Sequence, residues 1–365
     1  MLKKIYIHNY RCLVNFTFEF NKMNVFCGPN GSGKSSVFDA LAFVRELAMG
    51  NCFLGDATSN RNAINQLEFC KWLDSDVQEF ELEIAEGDLD FKYSLKLQQT
   101  AKHEPPRFYA ESLHCNGISL FTRELQKVSF GENKSLALDW RQSAVVIFYA
   151  PQEMPQLEVF QQALLNLTIL RPKVHLFENE SKQETPHINS DFSNIISVYR
   201  HFAQDQEWTD VLRESLQEVW PEDFTSLKMS DRGFSTKLLE LNFLGELYNF
   251  AILSDGEKML VALYIIHAIL STAKVSTTIF IDEPGNFVTL QELQPWIVEM
   301  LGVIDNTKQL ILISHNSEIL NSAYSPIWYF YRDNHKSPTR VKLLQSWGGM
   351  TISEMVSRGW VEHEK

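Results

Sequence analysis

Two short motifs in this chain carry the residue types best suited to phosphate chemistry, and 220 residues separate Lys34 in one from Ser254 in the other. The first, at 28–36, matches the phosphate-binding pattern G-x-x-x-x-G-K-[ST] in full. Its glycines let backbone N–H groups point inward, its lysine adds a mobile positive charge, and its serine hydroxyl can ligate Mg²⁺. The motif predicts a site for ATP and Mg²⁺ formed by Asn30, Gly31, Ser32, Gly33, Lys34, Ser35 and Ser36, with Ser35 on the metal.

The second motif, LSDGEK at 253–258, has the composition of a helix start. Backbone N–H groups and the helix dipole at such a start can hold phosphate oxygens, so Ser254, Gly256 and Glu257 are predicted nucleotide-binding residues. Two anion-binding helix starts for one nucleotide make sense if they come from opposite subunits. The spacing therefore predicts an ATP-sandwich homodimer, alone or within a higher oligomer.

A third group of candidates follows two apolar runs. The segment 276–284 predicts a buried strand that places Asp282 at its carboxyl end, where ligands bind in open α/β sheets. Asp282 is the expected Mg²⁺ ligand and Glu283 the expected general base for the attacking water. His315 ends the next apolar run and is a candidate γ-phosphate contact. A histidine there can equally be a satisfied core or helix-cap residue.

The elements that must position these residues can be read from periodicity. Alternation of apolar and polar residues predicts strands at 2–10 and 14–20, and further strand candidates follow at 78–84, 91–97, 107–115 and 143–149. Helical spacing predicts helices at 36–49, 156–170, 207–220 and 259–270. The apolar stripe of the helix at 207–220 is explained by core packing, with a docking face for a partner as the alternative.

Buried strands that alternate with helices imply an α/β fold with a mostly parallel central sheet. We expect an N-terminal lobe at 1–150 that carries the phosphate loop and an antiparallel β region. A helical insertion is expected at 151–235, and a C-terminal lobe at 236–365.

Composition limits the classes of function. The net charge of −13 and the pI near 5.3 give no sequence-wide support for DNA binding. The five cysteines lack the spacing of a zinc site or a disulfide framework. There is no apolar stretch of membrane-spanning length and no signal-peptide core, so we expect a cytoplasmic protein without a membrane partner.

The ordered set of phosphate loop, LSDGEK, IFIDEP and ILISH resembles the ABC-type ATPases. The opening, about 2–50, looks like the RecF/SMC/OLD branch, whose members are also called AAA-family ATPases. The resemblance implies that Lys34 and Ser35 are Walker A, Asp282 is the Walker B magnesium ligand and Glu283 is the catalytic glutamate. It also implies that residues 254–257 are the signature motif and that His315 is the switch histidine. The functional groups in catalysis would be Lys34, Glu283 and His315.

The chain departs from the family pattern at three places. Asp255 stands where a second signature glycine is usual. Residues 285–289 replace the common Glu and Leu-His-Pro, which puts the D-loop contact in doubt. No glutamine loop is evident, and Gln66 is the candidate for it.

The resemblance implies an ATPase that acts as a sensor or switch for a separate effector, a nuclease or toxin. Chains of this build resemble ATPase subunits of prokaryotic anti-phage systems such as Septu and PARIS. Only 50 residues follow His315, without an acidic cluster of the Toprim type, so a nuclease within the chain is not expected. The main alternative is a RecF/SMC-like DNA-repair ATPase, which requires a basic DNA-binding groove. A transporter subunit or a small-molecule kinase is a third alternative, which the second motif and its spacing disfavour.

Overall fold

The computed structural model describes residues 1–55, 63–101, 103–131, 134–147, 154–233, 235–321, 325–346 and 348–363. The strands are β1 Leu2–His8, β2 Phe16–Glu19, β3 Met23–Cys27, β4 Phe53–Leu54, β5 Ala63–Ile64, β6 Val77–Glu86, β7 Leu89–Gln98, β8 Arg107–Cys115, β9 Ile118–Glu124, β10 Lys127–Phe130, β11 Lys134–Ala137, β12 Leu167–Leu170, β13 Phe224–Asp231, β14 Lys237–Phe243, β15 Glu246–Asn249, β16 Thr277–Asp282, β17 Lys308–Ile313, β18 Ile327–Tyr331 and β19 Arg340–Leu344. The α-helices are α1 Lys34–Ala48, α2 Pro155–Leu165, α3 Ile195–Phe202, α4 Gln206–Val219, α5 Asp255–Thr272, α6 Leu290–Val303, α7 Ser317–Asn321 and α8 Ile352–Ser357.

The chain divides into two compact units. The first consists of Met1–Asn21, Gly28–Leu167 and Trp328–Leu343. The second consists of Lys22–Cys27, Thr168–Ile327 and Leu344–Lys365.

The first unit contains an eight-stranded sheet in the order β11-β10-β9-β8-β7-β6-β1-β2. Neighbouring strands from β6 to β11, and β1 with both β6 and β2, are antiparallel. Side chains in β6 and β7 alternate between buried and partly exposed positions, which is the period-2 pattern of a half-buried sheet. On the outer face Glu79 pairs with Lys96 at 3.0 Å, and Glu81 pairs with Lys92 at 3.1 Å. The sheet therefore has one apolar face and one face of cross-strand ion pairs.

In the second unit β12, β16, β17 and β3 lie side by side in that order. The strand β17 is parallel both to β16 and to β3. Because helices cover such strands on both faces, most of their side chains are apolar: every residue of β3 is buried, as are the four central residues of β16. This arrangement brings the carboxyl ends of β3, β16 and β17 to one edge.

The three helices α4, α5 and α6 form much of the second unit's helical core. Nearly every side chain of α5 from Met259 to Leu270 is buried, so this stretch of the helix has no solvent-exposed face. The indole Nε1 of Trp296 on α6 donates a hydrogen bond to the carbonyl of Leu263 on α5, at 3.0 Å. Trp208, Leu212 and Leu216 of α4 are also buried. Core packing is therefore confirmed for these three residues of the predicted stripe.

The predicted α/β class is confirmed, with an antiparallel sheet in one unit and parallel strands in the other. Two local predictions were wrong. Of the strand expected at 143–149, residues 148 and 149 lie outside the described residues, and Ala144–Val146 form a 3₁₀ turn, because the buried carboxylate of Glu111 accepts a hydrogen bond from the Ala144 amide at 2.8 Å. The last four residues of the helix expected at 156–170 form β12, since a short apolar run suits a buried strand as well as a helix. The domain boundaries at 150/151 and 235/236 stay predictions.

Candidate functional site

The phosphate loop lies between β3 and α1, as the motif requires. Gly28 has φ 131° and Gly33 has φ 105°, conformations that side chains with a β-carbon rarely adopt. A β-carbon at Gly28 would run into the carbonyl of Phe330, and one at Gly33 would run into the side chain of Thr339. The loop therefore needs glycine at both positions for conformation and for space.

The ammonium group of Lys34 is folded back over the loop. Its Nζ donates hydrogen bonds to the carbonyl oxygens of Gly28 at 2.6 Å and Pro29 at 3.1 Å. The side chain is buried at the first position of α1, whereas Ser35 is exposed beside it. Positive charge, helix dipole and an accessible hydroxyl thus converge at the start of α1, the combination that binds a phosphate group.

Residues about 300 positions further along the chain hold this loop in place. The hydroxyl of Thr339 donates to the carbonyl of Ser32 at 2.9 Å, and Nη1 of Arg332 donates to the carbonyl of Gly31 at 3.2 Å. The guanidinium of Arg332 also lies over the ring of Trp72, with 5.1 Å between the guanidinium carbon and the ring centroid. These contacts all lie within the first unit, and they hold the backbone of the loop at Gly31 and Ser32.

A concavity of about 1190 Å³ opens in the first unit next to these contacts. Trp72, Arg332 and Arg11 line it, and Arg11 is itself paired with Asp39 and Glu68. Gln66 lies on its rim and is exposed. The assignment of Gln66 as a glutamine loop stays a prediction.

In the second unit, Asp282 ends β16 and is half-buried. Strand register places Asp282 opposite Ile313 of β17, and Ile313 opposite Phe26 of β3. Asp282 therefore lies level with Phe26, the next-to-last residue of β3. The expectation that Asp282 stands at the carboxyl end of its strand is confirmed.

Glu283 and His315 are neighbours at this edge. Nε2 of His315 lies 3.5 Å from Oε1 of Glu283, and the His315 amide donates to Oε2 of the same carboxylate at 3.4 Å. Glu283 has φ 56°, a left-handed conformation that is uncommon for a residue with a side chain, and its own amide donates to the carbonyl of Ile313 at 2.9 Å. Strained backbone of this kind is concentrated at functional sites. In this arrangement the carboxylate of Glu283 can accept a proton from water, and the imidazole of His315 lies next to it.

The LSDGEK motif begins α5, as predicted from its composition. The hydroxyl of Ser254 accepts a hydrogen bond from the Glu257 amide at 3.3 Å, and the Glu257 carboxylate accepts from the Ser254 amide at 2.8 Å. This reciprocal capping box fixes the first turn of the helix. Ser254 and Asp255 are exposed, so the start of α5 faces outward rather than into its own unit. Ser254, Gly256 and Glu257 stay predicted contacts for a nucleotide.

The oxygen donors available fit Mg²⁺ that arrives with a nucleotide. Ser35 offers an exposed hydroxyl, and Asp282 offers a carboxylate that already attracts a cation, since Nε of Arg171 lies 3.7 Å from its Oδ2. Among the described residues no group of three or more His, Cys, Asp or Glu side chains is arranged to hold a metal. Proteins usually hold Mg²⁺ through one or two of their own oxygens, with phosphate and water completing the shell.

Sequence analysis did not identify Arg332 and Thr339 as contacts of the phosphate loop, or Arg171 as a contact of Asp282. None of them lies in a motif, and each contacts a motif residue that is distant in sequence. The capping of LSDGEK, in contrast, could be predicted from the spacing of Ser254 and Glu257.

Comparison with known proteins places the chain in a family. The sequence profile of the RecF/RecN/SMC N terminal domain matches residues 1–337. Among curated proteins no sequence matches the chain. No helix within the described residues is long and apolar enough to cross a membrane.

Solved structures of SMC heads share the fold. An SMC head bound to the C-winged helix domain of ScpA is 15% identical, with a TM-score of 0.61, and the match covers 96% of this chain and 99% of that one. The SMC head of Thermotoga maritima is 14% identical, with a TM-score of 0.51 and coverage of 94% and 99%. An SMC head with an extended coiled coil, bound to the C-terminal domain of ScpA derived from Pyrococcus furiosus, is 13% identical, with a TM-score of 0.53 and coverage of 100% and 99%. The chain belongs to the RecF/RecN/SMC family of ABC-type ATPases.

Proposed function

We propose that this chain binds ATP with Mg²⁺, pairs with a second copy around the nucleotide, hydrolyses ATP, and thereby switches a separate effector protein. The observation that carries the catalytic part is the strand register at Asp282. Within the second unit Asp282 and Phe26 lie at the same level of the parallel strands, and this register supports the proposal that the acidic pair acts on the bound nucleotide.

Each residue has a distinct part in this proposal. Lys34 turns from the loop carbonyls to the β- and γ-phosphates, while Ser35 and Asp282 hold Mg²⁺, which neutralises phosphate charge when bound. Glu283 accepts a proton from the attacking water, and His315 orients the γ-phosphate next to it. Asn30, Gly31, Ser32, Gly33 and Ser36 complete the cradle through the loop backbone and the helix start.

The homodimer is supported by the outward-facing start of α5. Ser254 is exposed at the start of α5, and the amides and dipole of a helix start can bind the phosphates of a nucleotide held by a partner subunit. A nucleotide that binds the closed dimer better than the open monomer stabilises closure by that difference in affinity. ATP binding and turnover would then open and close the pair.

The role as a switch for an effector in anti-phage defence rests on the resemblance of the motifs to ATPase subunits of such systems. A related fold, the SMC head, has been solved in complex with a domain of the separate protein ScpA, which supports protein partners for this fold. The outer face of the eight-stranded sheet carries paired lysines and glutamates rather than a basic stripe, which favours a protein over DNA as its partner.

The test is the variant Glu283→Gln, which keeps the size of the side chain and removes the base. With ATP and Mg²⁺ we expect it to bind nucleotide, to lose turnover by about 10²–10⁴-fold, and to run as a dimer in light scattering. The matched control is Glu214→Gln on the exposed side of α4, which should behave as wild type. A Glu283→Gln protein that stays monomeric at saturating ATP contradicts the shared site, and hydrolysis that duplex DNA stimulates in the purified chain would favour the DNA-repair alternative.

A further inference from the structure

Arg171 lies against the carboxylate that the proposed function assigns to Mg²⁺. We propose that Arg171 is the resident counter-ion of Asp282 without nucleotide and that Mg²⁺ must displace it, so that this arginine sets the Mg²⁺ concentration the site requires. The inference rests on the proposed function, because it concerns the same metal ligand. Nε of Arg171 is 3.7 Å from Oδ2 of Asp282, within the range of an ion pair.

The chain holds Arg171 at this place through its backbone. It is the first residue after β12, and β12 neighbours β16, the strand that ends in Asp282. The Arg171 amide donates to the carbonyl of Ser190 at 2.5 Å, and two residues on the Lys173 amide donates to the carbonyl of Asp191 at 3.0 Å. The start of the loop is therefore fixed to the segment 190–191.

The ion pair is only partly open to water, so its charges interact more strongly than a surface pair would. The side chains of Arg171 and Asp282 are 32% and 17% exposed. Partial burial weakens solvent screening, and a carboxylate in such a place is stabilised by whichever cation lies next to it.

Mg²⁺ and the Arg171 guanidinium compete for the carboxylate of Asp282. A divalent ion held by Asp282, directly or through one water, would lie a few ångströms from a positive charge that also needs that oxygen. Arginine keeps its charge at all relevant pH values, so proton loss does not relieve the conflict. The guanidinium must therefore turn away when Mg²⁺ binds, and part of the binding free energy of the metal is spent on breaking the pair.

The experiment measures the Mg²⁺ concentration that gives half of the Mg²⁺-dependent increase in affinity for a fluorescent, non-hydrolysable ATP analogue. Arg171→Gln removes the competing charge, and we expect its half-saturating Mg²⁺ to be lower by about tenfold. Arg171→Lys keeps the charge and should stay closer to wild type than Arg171→Gln does. The control is Lys173→Gln, which removes a positive charge two residues away at an exposed position and should leave the value unchanged.

A higher or unchanged half-saturating Mg²⁺ in Arg171→Gln overturns the inference while leaving ATP binding intact. If the wild-type protein does not bind the ATP analogue at all, the proposed function itself is overturned. The two failures are therefore distinguishable. A second measurement uses the wild-type protein, so that it does not depend on whether the variants fold. In the wild-type protein, hydrogen exchange across residues 171–176 should change when Mg²⁺ is added to the nucleotide-bound form, and identical exchange with Mg²⁺ and with a chelator contradicts displacement.

Discussion

Gly256 in the first turn of α5 packs directly against the backbone of Phe287. A β-carbon built on Gly256 would lie 2.7 Å from the carbonyl oxygen of Phe287. Phe287 has φ 72° and its side chain is 63% exposed, in the segment that departs from the family pattern after the acidic pair. The start of α5 and this segment are therefore in contact, and only glycine at position 256 permits that approach.

This contact predicts the effect of Gly256→Ala on stability. In an exposed helix alanine is normally better than glycine by up to ~1 kcal/mol. Here the clash with the Phe287 carbonyl should reverse the sign and lower the free energy of unfolding by about 1–3 kcal/mol, measured by urea denaturation. Gly302 on α6 is the matched control, since nothing lies within 4 Å of a β-carbon built there. A Gly256→Ala protein as stable as Gly302→Ala would contradict the close packing.

Lys34→Ala should weaken nucleotide binding rather than only slow catalysis. The ammonium group is already buried at the loop, so its charge-assisted hydrogen bonds to phosphate form with little loss of side-chain freedom. Losing them costs about 1.5–3 kcal/mol, which is roughly 10–100-fold in the dissociation constant. Equilibrium titration with a fluorescent ATP analogue measures this change. Lys22→Ala, at an exposed position, serves as control, and equal affinity of both variants would remove the role assigned to Lys34.

The parts of the site that could be predicted from the sequence are those formed by residues that are close together along the chain. A glycine-rich turn and the following helix start are contiguous, so the loop at 28–36 and the cap formed by Ser254 and Glu257 follow from spacing alone. Asp282 follows from a run of apolar residues that must be a buried strand, because a parallel sheet puts strand ends on one edge.

The parts that sequence could not predict depend on pairs of residues far apart in the chain. The contact of Arg332 with the Gly31 carbonyl spans about 300 residues, and that of Arg171 with Asp282 spans over 100. No periodicity encodes such contacts, because a single polar residue after a strand or in a loop fits many partners. The turn at 144–146 could not be predicted for the same reason, because the Ala144 amide donates a hydrogen bond to Glu111, which lies on a distant strand.

A buried polar cluster joins the three helices α4, α5 and α6. Nδ1 of His267 on α5 lies 3.1 Å from Oε2 of Glu299 on α6 and 3.3 Å from the hydroxyl of Ser215 on α4. The hydroxyl of Ser271 lies 3.1 Å from the other ring nitrogen. Burial lowers the pKa of His267 to about 4. Burial raises the pKa of Glu299 to about 7; a hydrogen bond from Ser215 opposes this shift, and the nearby Glu218 adds to it. A neutral imidazole therefore meets a carboxyl group that is protonated below about pH 7.

This cluster predicts how Glu299→Gln changes stability with pH. Between 4.5, the ordinary pKa of a glutamate, and 7, folded Glu299 keeps a proton that the unfolded chain has lost. The stability it contributes is therefore complete below pH 4.5 and is lost as pH rises through 7. Glutamine is neutral throughout, so the variant should gain stability relative to wild type over this interval, by up to ~3 kcal/mol.

Urea unfolding of both proteins at several pH values, from 4.5 to above 7, measures this difference. Titration of His267 occurs in both proteins, so it largely cancels when the variant is subtracted from wild type. The same subtraction with Glu214→Gln, whose carboxylate is exposed, should give a difference that does not vary with pH. A flat difference for Glu299→Gln as well would mean that folding does not raise the pKa of Glu299. The carboxylate of Glu299 would then be ionised beside His267 over most of this interval, rather than protonated.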